Sequence, residues 1–448
     1  RQGEAPEPFV QDATSRRHLV GVGAAVAVGG EAVAEVGVSS KGKATNVVLK
    51  VVDGIKQKRL GGSDIVVSEL GLGTQRWCST DFNAPNENLC HALMDRAILG
   101  SGVNLVDTAE QYPIPSSDER QEGLTEEVIG RWFMREPGRR RKVVLATKIT
   151  GGFNVNKSNI RTDCEGSLRR LGTDYIDLYQ LHWPARYSPQ SNWGQSLAYQ
   201  YDMEDVGGLG MEGAPFGEIC DSMGQLVREG KIRAWGLCND NAFGLTACCE
   251  VAKRLGVVPP VSFQGDYSLI DRKSEENGVF EASSPIHENV GFLAYNALAG
   301  GMLTGKYLDA PATLGSRTAR DTEQNLGKPR GRYDDYTWGS TLYRYRSTAA
   351  LTAIRAYAGL AKRFGLSLTQ LSLRWCRERR GCTSVLLGTS SKAQLEEDLR
   401  CFQVQTSLSE ELLWEIDRVH MRNRLPIFCS DSAEAGWRGS GEINERIP

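Results

Sequence analysis

The sequence predicts an α/β protein: a single (β/α)8 TIM barrel with an N-terminal β-hairpin and long loops after strands 4 and 7. Three observations predict it. Eight short apolar runs recur at intervals of roughly 30 to 50 residues. Each is rich in β-branched or aromatic residues and apolar on both faces, as a parallel strand covered on two sides must be. Helix-like stretches separate them, so strand and helix alternate along the chain. A doubly wound open sheet is the other arrangement with this alternation.

Residues 1–56 read as an N-terminal extension. Within it, SRRHLVGVGAAVAVGGEAVA (15–34) carries two readings. Arg16-Arg17, an uncharged apolar run and Ala32-Val33-Ala34 make the layout of a signal peptide, and the paired arginines resemble a twin-arginine export signal. A disordered Ala/Gly/Val-rich extension is the other reading, favoured by Glu31 before the cleavage motif. The first destines the protein for export or a plastid, and the second leaves it in the cytoplasm. The apolar run is too short to span a bilayer.

From residue 57 to 421 the texture is that of the barrel. KQKRLGGSDIVVSE (56–69) reads as a hairpin with Gly61-Gly62 near its turn, placed to plug one end. The eight runs follow: LGLGT (70–74), NLVDTA (104–109), VVLATK (143–148), YIDLYQLHW (175–183), IRAWGLCN (232–239), VSFQGDYS (261–268), GFLAYNAL (291–298) and SVLLGTS (384–390). Helices are expected over ENLCHALMDRAILGSG, SNIRTDCEGSLRRLG, FGLTACCEVAKRLG and LTAIRAYAGLAKRFG, several of which end in the glycine that helix C-termini favour. The connections 184–217 and 307–348 are too long for plain turns, and loops after barrel strands lie on the catalytic face. Residues 422–448 form a polar tail. Gly208, Gly210 and Gly213 match a dinucleotide-binding spacing, but no strand precedes them, so the match carries no weight.

Composition narrows the function. Lys+Arg at 53 against Asp+Glu at 55 leaves no bulk field to draw nucleic acid or a membrane surface. The 11 cysteines include no CxxC pair, and none of the 5 histidines stands at metal-ligand spacing from one, so reduced, buried thiols and no metal are expected.

Chemistry gathers at the carboxyl ends of successive runs. The second run brings Asp107 with Tyr112 just after it, the third ends in Lys148, and the fourth ends in His182. On neighbouring barrel strands these side chains converge on one rim. Reducing a carbonyl requires a hydride on carbon and a proton on oxygen. Tyrosine is a weak acid, with a free pKa of about 10. A lysine beside it favours the phenolate and lowers that value. Asp107 would hold the lysine charged and in place, and His182 would orient the substrate oxygen. Each such group is worth roughly 2–4 kcal/mol of barrier. Taken singly, Asp107 reads equally as a helix cap, Lys148 as a solvated side chain, His182 as a core histidine and Tyr112 as a loop anchor.

The segments DTAEQY (107–112), ATK (146–148), DYIDLYQLHWP (174–184), VREGKIRAWGLCN (227–239), LAGGMLTGKY (298–307) and LLGTSSKAQLEEDL (386–399) resemble the aldo-keto reductase family. The likeness runs from Arg59 to His420 and is nearest the branch of Tas-type reductases and potassium-channel β subunits. It implies a catalytic set of Asp107, Tyr112, Lys148 and His182, with NADPH bound across the barrel mouth. Asn239 and Gln264 would hold the nicotinamide carboxamide, with Tyr295 close to its ring. The backbone at Leu298–Gly300 and the side chain of Lys306 would meet the pyrophosphate. Arg317 and Ser390 would take the 2′-phosphate, which favours NADP over NAD. Gln394, Glu397 and Asp398 would face the adenosine. Cys238, Asn296 and Asp398 depart from the family pattern, the last standing where asparagine often binds adenine. The implied function is reduction of a small aldehyde or ketone. The alternative is an NADPH-binding, redox-sensing subunit of a larger complex. Partners are thus a small carbonyl substrate and either further copies of the chain or a larger assembly. Trp77, Tyr187 and Trp193 suggest aromatic lining of the substrate pocket.

Overall fold

All eight apolar runs become strands, because residues apolar on both sides can be satisfied only between a barrel interior and a surrounding shell of helices. In the computed structural model the described residues run from Lys43 to Phe428, apart from 82, 153–154, 187, 189–213, 309–344, 346 and 425. Arg317, Tyr187, Trp193, the Gly208–Gly213 glycines, the Arg16–Ala34 segment, most of both long loops and the tail past 428 lie outside them.

Strands β1 (Val48–Val52), β2 (Ile55–Arg59) and β3 (Val66–Ser68) form an antiparallel sheet. The barrel strands are β4 (Leu70–Gly73), β5 (Leu105–Asp107), β6 (Val144–Ile149), β7 (Ile176–Leu181), β8 (Ile232–Cys238), β9 (Ser262–Asp266), β10 (Gly291–Tyr295) and β11 (Cys382–Leu387). Each pairs in parallel with its neighbour in the chain, and β11 pairs with β4, so the sheet closes. Closure excludes the open doubly wound sheet.

The expected hairpin is present as β2 and β3, with Arg59 opposite Val66. A third strand, β1, joins it from the segment read as extension. Asp53-Gly54 makes its turn with φ of 48° and 82° at the two residues. Positive φ at both central positions is what a two-residue hairpin requires. Beyond β2, Leu60, Ile65 and Val67 pack against Leu105, Val144 and Val261 and close the floor of the barrel. Gly61 lets the chain pass there: a Cβ would lie 2.3 Å from the carbonyl oxygen of Val261.

Alternation along each strand separates two environments. Leu105, Ala146, Leu178, Ala234, Leu293 and Leu386 point inward. Val106, Leu145, Tyr179, Trp235, Phe263 and Phe292 point out to the helices. Burying each of the larger outward chains contributes about 1.5–3 kcal/mol. Gly236 faces inward beside β9, where a Cβ would meet the Ser262 hydroxyl oxygen at 1.9 Å.

Helices pack outside this sheet. Those at Lys157–Leu171 and Ala242–Leu255 begin on Asn156 and Asn241 side chains that accept backbone N–H groups. They end on Gly172 and Gly256 at φ of 60° and 65°, the left-handed stop their sequences signalled. Thr348–Arg363 likewise starts on Ser347, and Gly365 follows it at positive φ. The first expected helix, Glu87–Met94, continues as a wider turn over Asp95–Leu99. All the described cysteines are buried free thiols. No described helix is long and apolar enough to cross a membrane.

Candidate active site

Inward positions near the carboxyl ends of β5, β6, β7 and β9 carry polar groups, where lower positions on the first three carry leucine and alanine. That switch builds the site. On β5, Leu105 fills the core and Asp107, two residues on, faces the mouth. On β6 the same step leads from Ala146 to Lys148, which has no exposed surface. The Lys148 Nζ donates to Asp107 Oδ1 at 2.6 Å and to the carbonyl oxygen of Thr108 at 2.7 Å. Asp107 Oδ2 accepts from the Gln264 amide at 2.8 Å and from Gln180 at 3.4 Å. The carboxylate is therefore enclosed by a cation and two amides, the satisfaction that a buried charge requires.

Tyr112 stands above this pair. Its ring centroid is 5.0 Å from Lys148 Nζ and 5.7 Å from the His182 ring, which meets it edge-on. The Tyr112 carbonyl accepts the backbone N–H groups of Gly123 and Thr125 at the start of the helix Leu124–Met134, fixing the loop that carries it. His182 follows β7. Its backbone N–H bonds Ile149, its carbonyl accepts from Asn239 Nδ2 at 3.0 Å, and Trp183 stacks on the ring at 5.8 Å. Gln111 Nε2 lies 3.2 Å from His182 Nδ1.

Burial alone would lower the Lys148 ammonium, but Asp107 first, then Tyr112, hold it above its ordinary value. Tyr112 moves the other way from the sequence expectation. Burial pushes its phenol up to about 12, outweighing the lowering by Lys148. Position in sequence revealed the lysine but not the depth of the site. Burial, and then Lys148, keep His182 well below the usual histidine range.

A cleft of about 530 Å³ runs across the mouth from these groups. Asp107, Tyr112, His182, Asn239, Gln264, Tyr295, Leu298, Gly300, Lys306, Ser390, Gln394, Glu397 and Asp398 all line it. Of the expected site residues, Lys148 lies buried beneath it and Arg317 lies outside the described residues. Gln264 sits deeper than a rim residue, bound to Asp107. Asn239 Oδ1 accepts from the Tyr295 hydroxyl at 2.5 Å. Farther along, Ala299, Gly300 and Gly301 turn the backbone at φ of 48°, 64° and 96°. Lys306 lies across this turn, its Nζ 3.4 Å from where a Gly301 Cβ would stand. Ser391 caps the helix Lys392–Gln403, and Gln394 Oε1 accepts from both the backbone and the hydroxyl of Ser390, at 2.8 and 3.0 Å. Asp398 on that helix is buried, and burial followed by Glu397 drives its carboxyl well above the carboxylate range.

Several lining residues were not anticipated. Thr74, Gln75 and Arg76 follow β4, Gln111 precedes Tyr112, and Gly388 and Thr389 follow β11. The Thr389 hydroxyl is buried with no hydrogen-bond partner among the described residues. Gln180 belongs to the Asp107 cluster. Their signal was available: each follows a barrel strand or sits two residues from an expected site residue. Trp77, expected in the pocket, is instead buried in the outer core and does not line the cleft. Its neighbour Arg76 lines the cleft, while the Trp77 side chain packs into the shell between barrel and helices. Among the described residues no three His, Cys, Asp or Glu side chains cluster to hold a metal.

The sequence model of the Aldo/keto reductase family matches residues 69–420. The chain is 34% identical over 376 residues to the protein tas of Escherichia coli (strain K12), covering 81% of this chain and 96% of that protein. It is also 34% identical over 300 residues to an aldo-keto reductase of Babesia bovis, covering 64% of this chain and 98% of that one. The matched span takes in all eight barrel strands, and with them the whole lined cleft, and leaves out the β1–β3 sheet. The chain belongs to the aldo/keto reductase family, whose members are nicotinamide-dependent carbonyl oxidoreductases.

Proposed function

We propose that this protein reduces an aldehyde or ketone to the alcohol with NADPH, with Tyr112 as the general acid. The observation that carries the reading is the buried Lys148–Asp107 pair beneath Tyr112 and His182, at one end of a cleft that continues past Lys306 and Ser390.

The residues present fit a dinucleotide. The partnerless Thr389 hydroxyl and the turn at Ala299–Gly301 both lie on the cleft. Lys306 supplies positive charge for a pyrophosphate, and Ser390, with Arg317, suits a phosphomonoester. Asn239 and Gln264 would hold the carboxamide, and Asn239 would then exchange the Tyr295 hydroxyl for it. Gln394 and Glu397 would meet the adenosine. Asp398, driven towards its neutral acid, both donates and accepts, as an amide in its place would. A reduced nicotinamide, when bound, supplies the hydride.

At neutral pH Tyr112 holds its proton, since its pKa is near 12. An alkoxide is a far stronger base than a phenolate, so the phenol still surrenders its proton to the oxygen once the carbonyl is reduced. Lys148 stabilises the phenolate left behind, and Asp107 keeps that ammonium charged and aimed. His182, neutral at pH 7, orients the carbonyl oxygen by a hydrogen bond. The catalytic unit is the barrel over residues 57–421.

Tyr112→Phe is the direct test. Turnover on a panel of aldehydes and ketones should fall about 10²–10⁴-fold, while quenching of tryptophan fluorescence by NADPH persists. Wild-type turnover in that variant overturns the mechanism. A wild-type protein that binds NADPH but reduces no carbonyl points instead to an NADPH-sensing subunit.

A further inference from the structure

Gln111 has no part in the chemistry described so far, yet it lines the cleft and touches the one imidazole there. Its side-chain nitrogen lies 3.2 Å from His182 Nδ1. An amide nitrogen carries only hydrogens to give, so Nδ1 must offer a lone pair. A neutral imidazole has one ring proton. With Nδ1 accepting, that proton resides on Nε2. Among the described residues no hydrogen bond engages Nε2, and His182 borders the cleft.

The remaining contacts of the ring fix its place but not its proton. Trp183 stacks on one face, Tyr112 meets it edge-on, and the backbone on both sides of His182 is bonded to Ile149 and Asn239. None of these distinguishes Nδ1 from Nε2. Gln111 alone does, and its amide has two ends. Turned over, its oxygen would accept from a protonated Nδ1, and Nε2 would face the cleft as a bare lone pair. Such a ring repels a carbonyl oxygen instead of binding it. The orientation of one amide therefore decides whether His182 donates to a substrate oxygen or opposes it.

We infer that Gln111 is a positioning residue that sets the tautomer of His182, donating to Nδ1 so that the only ring proton sits on Nε2 towards the cleft. The neutral state of the buried ring agrees with this, because an imidazolium would bring two donors face to face at Nδ1. The consequence for catalysis rests on the carbonyl-reduction reading, but the tautomer does not.

The experiment is a long-range proton–nitrogen correlation spectrum of the 15N-labelled full-length protein at pH 7.5, without substrate. The chain has 5 histidines, and the His182 signals are identified by their loss in His182→Gln. The expected spectrum shows an unprotonated Nδ1 and a protonated Nε2. Gln111→Glu, whose carboxylate can only accept, should move a proton onto Nδ1. Gln111→Leu should give a mixture of tautomers and slow single-turnover reduction of 4-nitrobenzaldehyde by about three- to tenfold, with the Kd for NADPH unchanged. A purely structural glutamine would leave the ring nitrogens as they are. A protonated Nδ1 in the wild type, or an unaltered ring in Gln111→Glu, overturns the inference. If the spectrum is as expected but the protein reduces no carbonyl, the proposed reaction fails and the assignment of the proton stands.

Discussion

Removing the Asp107 carboxylate should cost more stability than removing Lys148, its partner. Lys148 is fully buried, and among the described residues Asp107 is its one anionic contact, at 2.6 Å. In Asp107→Ala the ammonium keeps the Thr108 carbonyl at 2.7 Å and the neighbouring Tyr112, neither of which carries a compensating charge at neutral pH. Breaking a buried pair from one side costs about 3–5 kcal/mol, because an uncompensated charge remains. The amides of Gln180 and Gln264 also lose an acceptor, but they stand 3.5 Å from each other and add little. Asp107→Ala should therefore lower the unfolding free energy by about 3–5 kcal/mol. Lys148→Met leaves a carboxylate still bonded to two amides and should cost about 2 kcal/mol. Asp107→Ala with Lys148→Met removes both charges, and should be no worse than Asp107→Ala alone. The assay is urea unfolding followed by tryptophan fluorescence, with the two single variants and the double variant forming one cycle. A loss below about 1 kcal/mol in Asp107→Ala, or single effects that simply add, would refute the buried-pair argument.

Three further outcomes follow from the same geometry. Glu110 lies beside the site, its carboxylate accepting the Thr150 N–H at 2.5 Å, and burial pushes its pKa up to about 7 from 4.5. A folded-state value above the unfolded one favours folding at low pH, and that advantage disappears as pH rises from 4.5 through 7. Glu110→Gln should thus be more stable than the wild type at pH 8 by about 3 kcal/mol and no more stable at pH 4.5, as urea melts at the two values would register. For Tyr112, the difference in phenolate absorbance between wild type and Tyr112→Phe should stay flat up to pH 10. A phenolate signal below that pH would contradict its burial. Lys306→Ala should weaken NADPH and NADH alike by about tenfold or more, whereas Ser390→Ala should weaken NADPH by about fivefold and leave NADH unaffected. Equal losses for both cofactors in Ser390→Ala would remove Ser390 from the 2′-phosphate.

The eight barrel strands were legible because a parallel strand buried on both faces must be apolar at every position, which leaves a continuous run in the sequence. Their helices were legible from glycines such as Gly172 and Gly256, where the chain needs a left-handed residue. By contrast, β1 was not read. Its VLKVV is half exposed and lacks the two-faced pattern, although Asp53-Gly54 announced the turn. Asp107, Tyr112, Lys148 and His182 could be found because strand order and strand ends translate directly into places on one rim.

The sequence by itself determined the alternation of strand and helix, and hence which residues share the mouth of the barrel. Only the tertiary structure decided what that mouth does to them. Depth in the barrel raises the pKa of Tyr112 where adjacency to lysine alone would lower it, because desolvation acts on the whole phenol and Lys148 on one side of it. Gln180 and Gln264 join Asp107 from strands far apart in the chain. The contact of Gln111 with His182 links positions 71 residues apart, and a distance of 3.2 Å between two side-chain nitrogens leaves no trace in a linear sequence.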